Sequence, residues 1–250
     1  MEKYIHDSYT HSLDSPAEIV GILYQAFKPA SVIDIGCGTG TFLHQFKKEG
    51  AGKVLGIDGS WVNRTLLHQN LEENEFREMN LEGPISIGEK FDLAVCVEVA
   101  EHLDAAFADP LIESLTKLSD IIVFSAAIPS QDGQNHVNEQ WIGYWATKFN
   151  RHGYITCDVI RPLIWNNPKV QWWYKQNMFL AYKESAGFDP AVLGSASISE
   201  GINNYIHPDN YLHKTKRLED IMQGRHPLSF YLKQVIKKLI RPVRSPEKGK

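Results

Sequence analysis

"VIDIGCGTG" (residues 32–40) begins as a run of apolar residues and ends on three glycines spaced two apart. Its first half has the character of a short buried strand. The following "TFLHQFKKEG" (41–50) has helical spacing and stops at Gly50. Between them, Gly36, Gly38 and Gly40 let the backbone turn tightly and let a ligand reach its N–H groups at a helix N-terminus. "KVLGID" (53–58) reads as the next strand and ends on Asp58, where a carboxylate can accept both hydroxyls of a ribose. Strand, nucleotide-type turn, helix and strand together argue for a parallel α/β sheet.

The pattern continues outward from this unit. Upstream, Ser15-Pro16-Ala17-Glu18 has the form of a capping box with Pro at the first helical position, predicting a helix to about Phe27. Downstream, "SWVNRTLLHQNL" (60–71) reads as a helix and residues 76–80 as a weaker third strand. "KFDLAVCVEV" (90–99) is the fourth strand and "DIIVFSAAIP" (120–129) the fifth, with a helix at "DPLIESLTKLS" between them. "NEQWIGYWATKFNRHG" (138–153) is amphipathic at helical spacing. "YITCDVI" and "NMFLAYKE" predict two final strands joined by a long Trp-rich connection, a hairpin that adds an antiparallel strand to the sheet.

The cofactor class follows from charge. Dinucleotide sites favour G-x-G-x-x-G, whereas the spacing here is G-x-G-x-G with Asp34 two residues before the first glycine. A carboxylate there repels a pyrophosphate and suits an ammonium, which favours S-adenosylmethionine over NAD. With D-x-G-x-G-x-G followed by "GID", the chain resembles the class I S-adenosylmethionine-dependent methyltransferases over roughly residues 15–185. The resemblance implies a doubly wound, seven-stranded, mostly parallel Rossmann-like sheet whose last strand is antiparallel. It implies a cofactor cradle of Asp34, Gly36, Cys37, Gly38, Gly40, Asp58 and Gly59, with Asn80 and Leu81 beside the adenine and Glu98 facing the methyl-donor sulfur. Many members have an acid where this chain has Asn80.

"CVEVAEHLDAAF" (96–107) raises the second question, because a hydrophobic strand runs directly into Glu98, Glu101 and His102. Burying such groups unpaired is costly. A helical turn after Glu98 would bring Glu101 and His102 over the same face, and the loop after strand five, "PSQDGQNHVNEQ", would deliver His136 to the same edge. Two carboxylates and two imidazoles form a mixed O/N set suited to Mg²⁺ or Mn²⁺ with positions open for substrate oxygens. E-x-x-E-H with a later His is similar to the ubiquinone-biosynthesis O-methyltransferases and the small-RNA 2′-O-methyltransferases. That likeness implies Glu98, Glu101, His102 and His136 as ligands. The RNA enzymes have a denser His cluster at the last position than "NHVNEQW" offers. Without a metal, His136 or His102 is a candidate general base. The acids also fit a plainer role as helix caps.

The function expected is therefore an S-adenosylmethionine-dependent O-methyltransferase acting on a hydroxyl of a carbohydrate-type or diol-bearing acceptor. Stretches such as "WWYKQNMFLAY" resemble methyltransferases of bacterial glycan metabolism and imply a sugar hydroxyl. The alternatives are a small-RNA 3′-terminal 2′-O-methyltransferase, a quinone-pathway catechol O-methyltransferase and a non-catalytic cofactor-binding adaptor. Five of the six tryptophans lie between Trp141 and Trp173. Trp141 and Trp145, four apart, read as a packing stripe. Trp172 and Trp173, if on a strand, point to opposite faces.

A net charge of −4 across 250 residues gives no overall basic field for nucleic acid. Three scattered cysteines form no disulfide framework or CxxC pair, and Cys96 falls within a buried strand. With no leader-like N-terminus, a reduced cytoplasmic setting is expected, with contact at the inner membrane face through the tail. Domains are expected at 1–186 (methyltransferase), 187–227 (irregular linker or lid) and 228–250 (basic amphipathic helix and tail). From Lys233 to Lys250 there are seven Lys/Arg against one acid, Glu247. Leu228, Leu232, Val235 and Leu239 share one helical face, which suits an anionic membrane surface, the protein's own domain or a homodimer partner.

Overall fold

The computed structural model describes residues 12–193 and 203–240, in two units divided between His207 and Pro208. In the first unit seven strands form one sheet in the order β3-β2-β1-β4-β5-β7-β6. They are β1 (Ser31–Ile35), β2 (Lys53–Asp58), β3 (Phe76–Glu78), β4 (Leu93–Val97), β5 (Ile121–Ser125), β6 (Ile155–Cys157) and β7 (Phe179–Tyr182). The first five run parallel; β7 lies antiparallel between β5 and β6. This is the doubly wound methyltransferase-type sheet expected from the sequence.

The sheet is buried on both faces, which is why β4 reads as the unbroken apolar run "LAVCV". One face packs on α1 (Asp14–Phe27) and α2 (Thr41–Glu49) through Ile19, Leu23, Leu43 and Phe46. The other packs on α4 (Ala108–Leu118) and α5 (Ile142–Arg151) through Leu111, Leu115, Trp145 and Phe149. Each large side chain buried here contributes roughly 1.5–3 kcal/mol.

Local departures have identifiable causes. The capping box expected at Ser15–Glu18 does not form. Ser15 Oγ instead accepts from the Gln171 N–H (2.9 Å), and Glu18 pairs with Lys169 Nζ (2.8 Å). Tertiary ties to the 167–171 loop replace the local cap. The helix expected at 60–71 shortens to α3 (Arg64–Leu67), capped by Asn63 accepting from the Leu66 N–H. The connection between β6 and β7 contains α6 (Arg161–Ile164) and α7 (Trp172–Asn177). Trp172 and Trp173 are therefore helical and not on a strand. Trp145 is buried, but Trp141 is 40% exposed, so the two do not form one core stripe.

The second unit falls partly within the stretch expected to be irregular, yet it forms α8 (Pro208–Met222) and α9 (Leu228–Ile240). Pro208 and Asp209 supply ordinary helix-start chemistry. Between the helices, His226 stacks on Phe230 at 4.4 Å and the Tyr231 hydroxyl donates to the Ile221 carbonyl at 3.0 Å. Among the described residues, no helix is long and apolar enough to cross a membrane.

Candidate active site

The carboxyl ends of β1, β2 and β4 open into one cavity of about 1080 Å³. On its first side stand Gly36 and Gly38, while Gly40 and Gly59 of the expected cradle lie off the lining; Gly36, Gly38 and Gly40 all adopt positive φ (78°, 53° and 78°). At Gly36 the requirement is also steric, since a Cβ would stand 2.3 Å from Val99 Cγ2. Asp58 binds this turn together. Its Oδ2 accepts from the Gly38 N–H (2.8 Å) and its Oδ1 from the Gly59 N–H (2.6 Å). Burial pushes the Asp58 carboxyl up to about 6, partly offset by these N–H groups and by Trp61. Asp34 is buried beside it and is raised well above the ordinary range, by burial first and then by the Asp58 charge. Its Oδ1 has no hydrogen-bond partner. This is a buried acidic pocket wall that a cationic ligand group would suit, by favouring the ionised form. Cys37, Asn80 and Leu81 also line the cavity.

The second side holds the acids and histidines. Glu101, His102 and His136 bring one ligand-type atom each to within 4.8 Å of one another. The two rings meet edge to face at 4.8 Å. Glu101 is wholly buried, with the Glu98 carboxyl and the backbone N–H groups of Glu101 and Ala127 against its carboxyl. Burial, and then the neighbouring Glu98 charge, push its carboxyl well up. His102 is pushed down to about 4 by burial and then by His136, with the backbone of Asn135 and Gln134 acting the other way. Its imidazole is thus neutral and keeps its lone pair at neutral pH.

Glu98 does not join this trio, so the four-residue set expected from the spacing reduces to three. The chain turns at Glu98 with φ 56°, and its carboxylate accepts from Ser125 Oγ (2.8 Å), Gln131 Nε2 (3.2 Å) and Asn177 Nδ2 (3.1 Å). Gln131 and Asn177 are themselves linked, the Asn177 Nδ2 donating to Gln131 Oε1 at 2.9 Å. Instead of the helical turn assumed, a 3-10 turn at Ala100–His102 carries the other two groups.

Glu139, absent from the sequence-based set, organises the loop that presents His136. It accepts from the backbone N–H groups of Ser130 (2.7 Å) and Asp132 (3.0 Å) and lies 2.9 Å from His136 Nδ1. Ser130, Asp132 and Asn135 all take positive φ in this loop. The signal was present as H-x-x-E in "HVNE", but nothing local distinguishes it from a surface pair. Trp61, Trp172, Trp173 and Tyr174 also line the cavity, with Trp172 edge-on to Trp173 at 5.5 Å.

With this geometry, the family match is direct: a methyltransferase-domain family matches residues 17–155. The chain belongs to the methyltransferase-domain family. Its place is within the class I S-adenosylmethionine-dependent superfamily. A ubiquinone biosynthesis O-methyltransferase of Cereibacter sphaeroides is 27% identical over 151 residues, covering 55% of this chain and 59% of the relative. The chain spans less than two thirds of the length of the curated relatives it matches first. The sugar N-methyltransferase KedS8 from Streptoalloteichus has a similar fold (TM-score 0.55, 11% identity, 73% of this chain and 94% of that one). So does the S-adenosylmethionine-bound amino pentose methyltransferase CalS10 from Micromonospora echinaspora (TM-score 0.51, 14% identity, 72% and 98%).

Proposed function

We propose that this methyltransferase-family protein transfers the methyl group of S-adenosylmethionine to a hydroxyl of a carbohydrate-type or diol-bearing acceptor, assisted by a divalent cation. The observation that carries the reading is the buried Glu101 carboxyl clustered with two imidazoles, in the same cavity as the glycine turn. An uncompensated buried carboxylate is expensive, and a hard cation such as Mg²⁺ or Mn²⁺ removes that cost. Glu101, His102 and His136 would hold the cation, and what it would supply is a lowered pKa for an acceptor hydroxyl.

This chain's own residues account for the rest. Asp34 and the glycine turn would receive the amino-acid end of the cofactor, and Asp58 the ribose. The acceptor oxygen forms the new C–O bond as the C–S bond breaks, and the electron pair stays on sulfur in S-adenosylhomocysteine. With a cation held, the acidified hydroxyl would release its proton to solvent; where none is held, the proton leaves through His136 or His102. The aromatic residues Trp61, Trp172, Trp173 and Tyr174 in the cavity lining offer faces for a sugar or catechol ring. The sugars in the names of KedS8 and CalS10 support a carbohydrate acceptor, while KedS8 is named for transfer to nitrogen and so does not speak for the hydroxyl. The Cereibacter relative's name supports a second reading, a catechol of the quinone pathway.

The test is transfer of radiolabelled methyl from S-adenosylmethionine to a panel of sugars, glycans and catechols, with Mg²⁺, Mn²⁺ or chelator. Cation-dependent transfer to a sugar or other diol is expected. Transfer confined to amines, or unchanged in chelator, would overturn the acceptor or the cation half respectively.

A further inference from the structure

The second unit has a surface that methyl-transfer chemistry does not use. In α9, Leu228, Leu232, Val235, Ile236 and Leu239 are 73, 53, 55, 52 and 79% exposed. At 100° per residue they fall within one arc of about 100°. Lys233, Lys237 and Lys238 fall outside that arc, on both sides of it. Between Asp220 and Glu247 the sequence has no acid and six Lys/Arg. A helix of 13 residues is marginal alone in water, so its apolar face needs a cover.

We infer that α9 docks on an anionic phospholipid surface, its leucine face in the acyl boundary and its lysines among the headgroups. One partner then meets both halves of the helix, apolar area and positive charge. A second copy of α9 would cover the apolar arc but bring flanking lysines together, which is repulsive. A polyanion without an apolar layer would leave the leucines wet. The helix lies flat and does not cross, since no described helix has the length and apolarity to span.

The full-length protein should co-sediment with vesicles of 70:30 phosphatidylcholine:phosphatidylglycerol and not with phosphatidylcholine alone, and added salt should weaken the binding. Each lysine contributes about five-fold, so Lys233, Lys237 and Lys238 all changed to Gln should weaken it about a hundred-fold. Leu232→Asp with Leu239→Asp should abolish it while S-adenosylhomocysteine binding, as the check on folding, is retained. Three results would overturn the inference. One is equal affinity for both vesicle types, or none for either. Another is a dimer in solution that the Leu→Asp pair dissociates, which would make the face a self-interface. The last is a lipid-free drop in melting temperature in that pair, which would mean α9 docks on its own chain.

Discussion

Glu139 holds the imidazole of His136, Oε1 to Nδ1 at 2.9 Å, while Gly133 lies so close to the ring that a Cβ there would stand 2.1 Å from Nε2. The carboxylate accepts from the Nδ1–H and fixes the tautomer, leaving Nε2 with the lone pair needed by a cation or a proton. Glu139→Gln should therefore lower methyl transfer about 10–100-fold with cofactor affinity unchanged, and Asp at this position should recover part of the loss. Nitrogen-15 NMR of His136 provides the independent readout. If the variant keeps both the wild-type tautomer and the wild-type rate, Glu139 does not position the ring.

Much of this architecture was legible in sequence because it rests on local rules. The glycines of 36–40 sit where positive φ is required, Asp58 ends a strand that period and length reveal, and β4 and β5 are apolar because both sheet faces are covered. The features missed depend on distant partners. Ser15 and Glu18 spell a cap but bond to residues about 150 positions away. Glu98 looks like a ligand until Ser125, Gln131 and Asn177, drawn from three other segments, claim its oxygens. Trp172 and Trp173 carry strand-like composition in a helix, since a six-residue element gives periodicity too little length to act on.

The glycine turn makes a sharper claim at Gly36. Alanine there must hold φ near 78° and meet Val99 Cγ2 at 2.3 Å. Strain and overpacking together should cost about 2–6 kcal/mol in urea unfolding, with cofactor affinity lost as the turn shifts. Adding Val99→Ala should return the steric part of the stability and not the part owed to φ. A Gly36→Ala protein as stable as wild type would show that the turn has room.

The pH dependence of cofactor binding follows from Asp58. Burial raises its carboxyl from 3.8 to about 6, so the folded, ligand-free protein holds a proton there that the unfolded chain has released between those values. Its contribution to stability is complete below about pH 4 and is lost as pH rises through about 6. Ribose hydroxyls donate to the ionised form, so binding has the opposite sign. S-adenosylhomocysteine affinity should rise between pH 5 and 7, by at most about ten-fold per unit below pH 6. Asp34, raised in the same direction, reinforces the trend. Calorimetry on Asp58→Asn should show weak binding with a flatter pH profile; an unchanged steep profile would assign the titration elsewhere.

The last prediction separates Glu101 from Glu98, two acids three residues apart with different surroundings. Glu101 is fully buried against the Glu98 carboxyl, whereas Glu98 accepts from three side-chain hydrogen-bond donors. In chelator, Glu101→Gln should raise the melting temperature, because an uncompensated buried acid gives way to a neutral group of equal size. The same change should abolish the stabilisation that Mn²⁺ produces in wild type, a free energy of about 2.7 kcal/mol at a concentration 100 times the dissociation constant, read as a rise in melting temperature. Glu98→Gln should lower the melting temperature, since it disturbs a satisfied network, and should keep most of the Mn²⁺ response. Equal Mn²⁺ shifts in wild type and Glu101→Gln would place the cation elsewhere, and loss of the response in Glu98→Gln alone would return Glu98 to the ligand set.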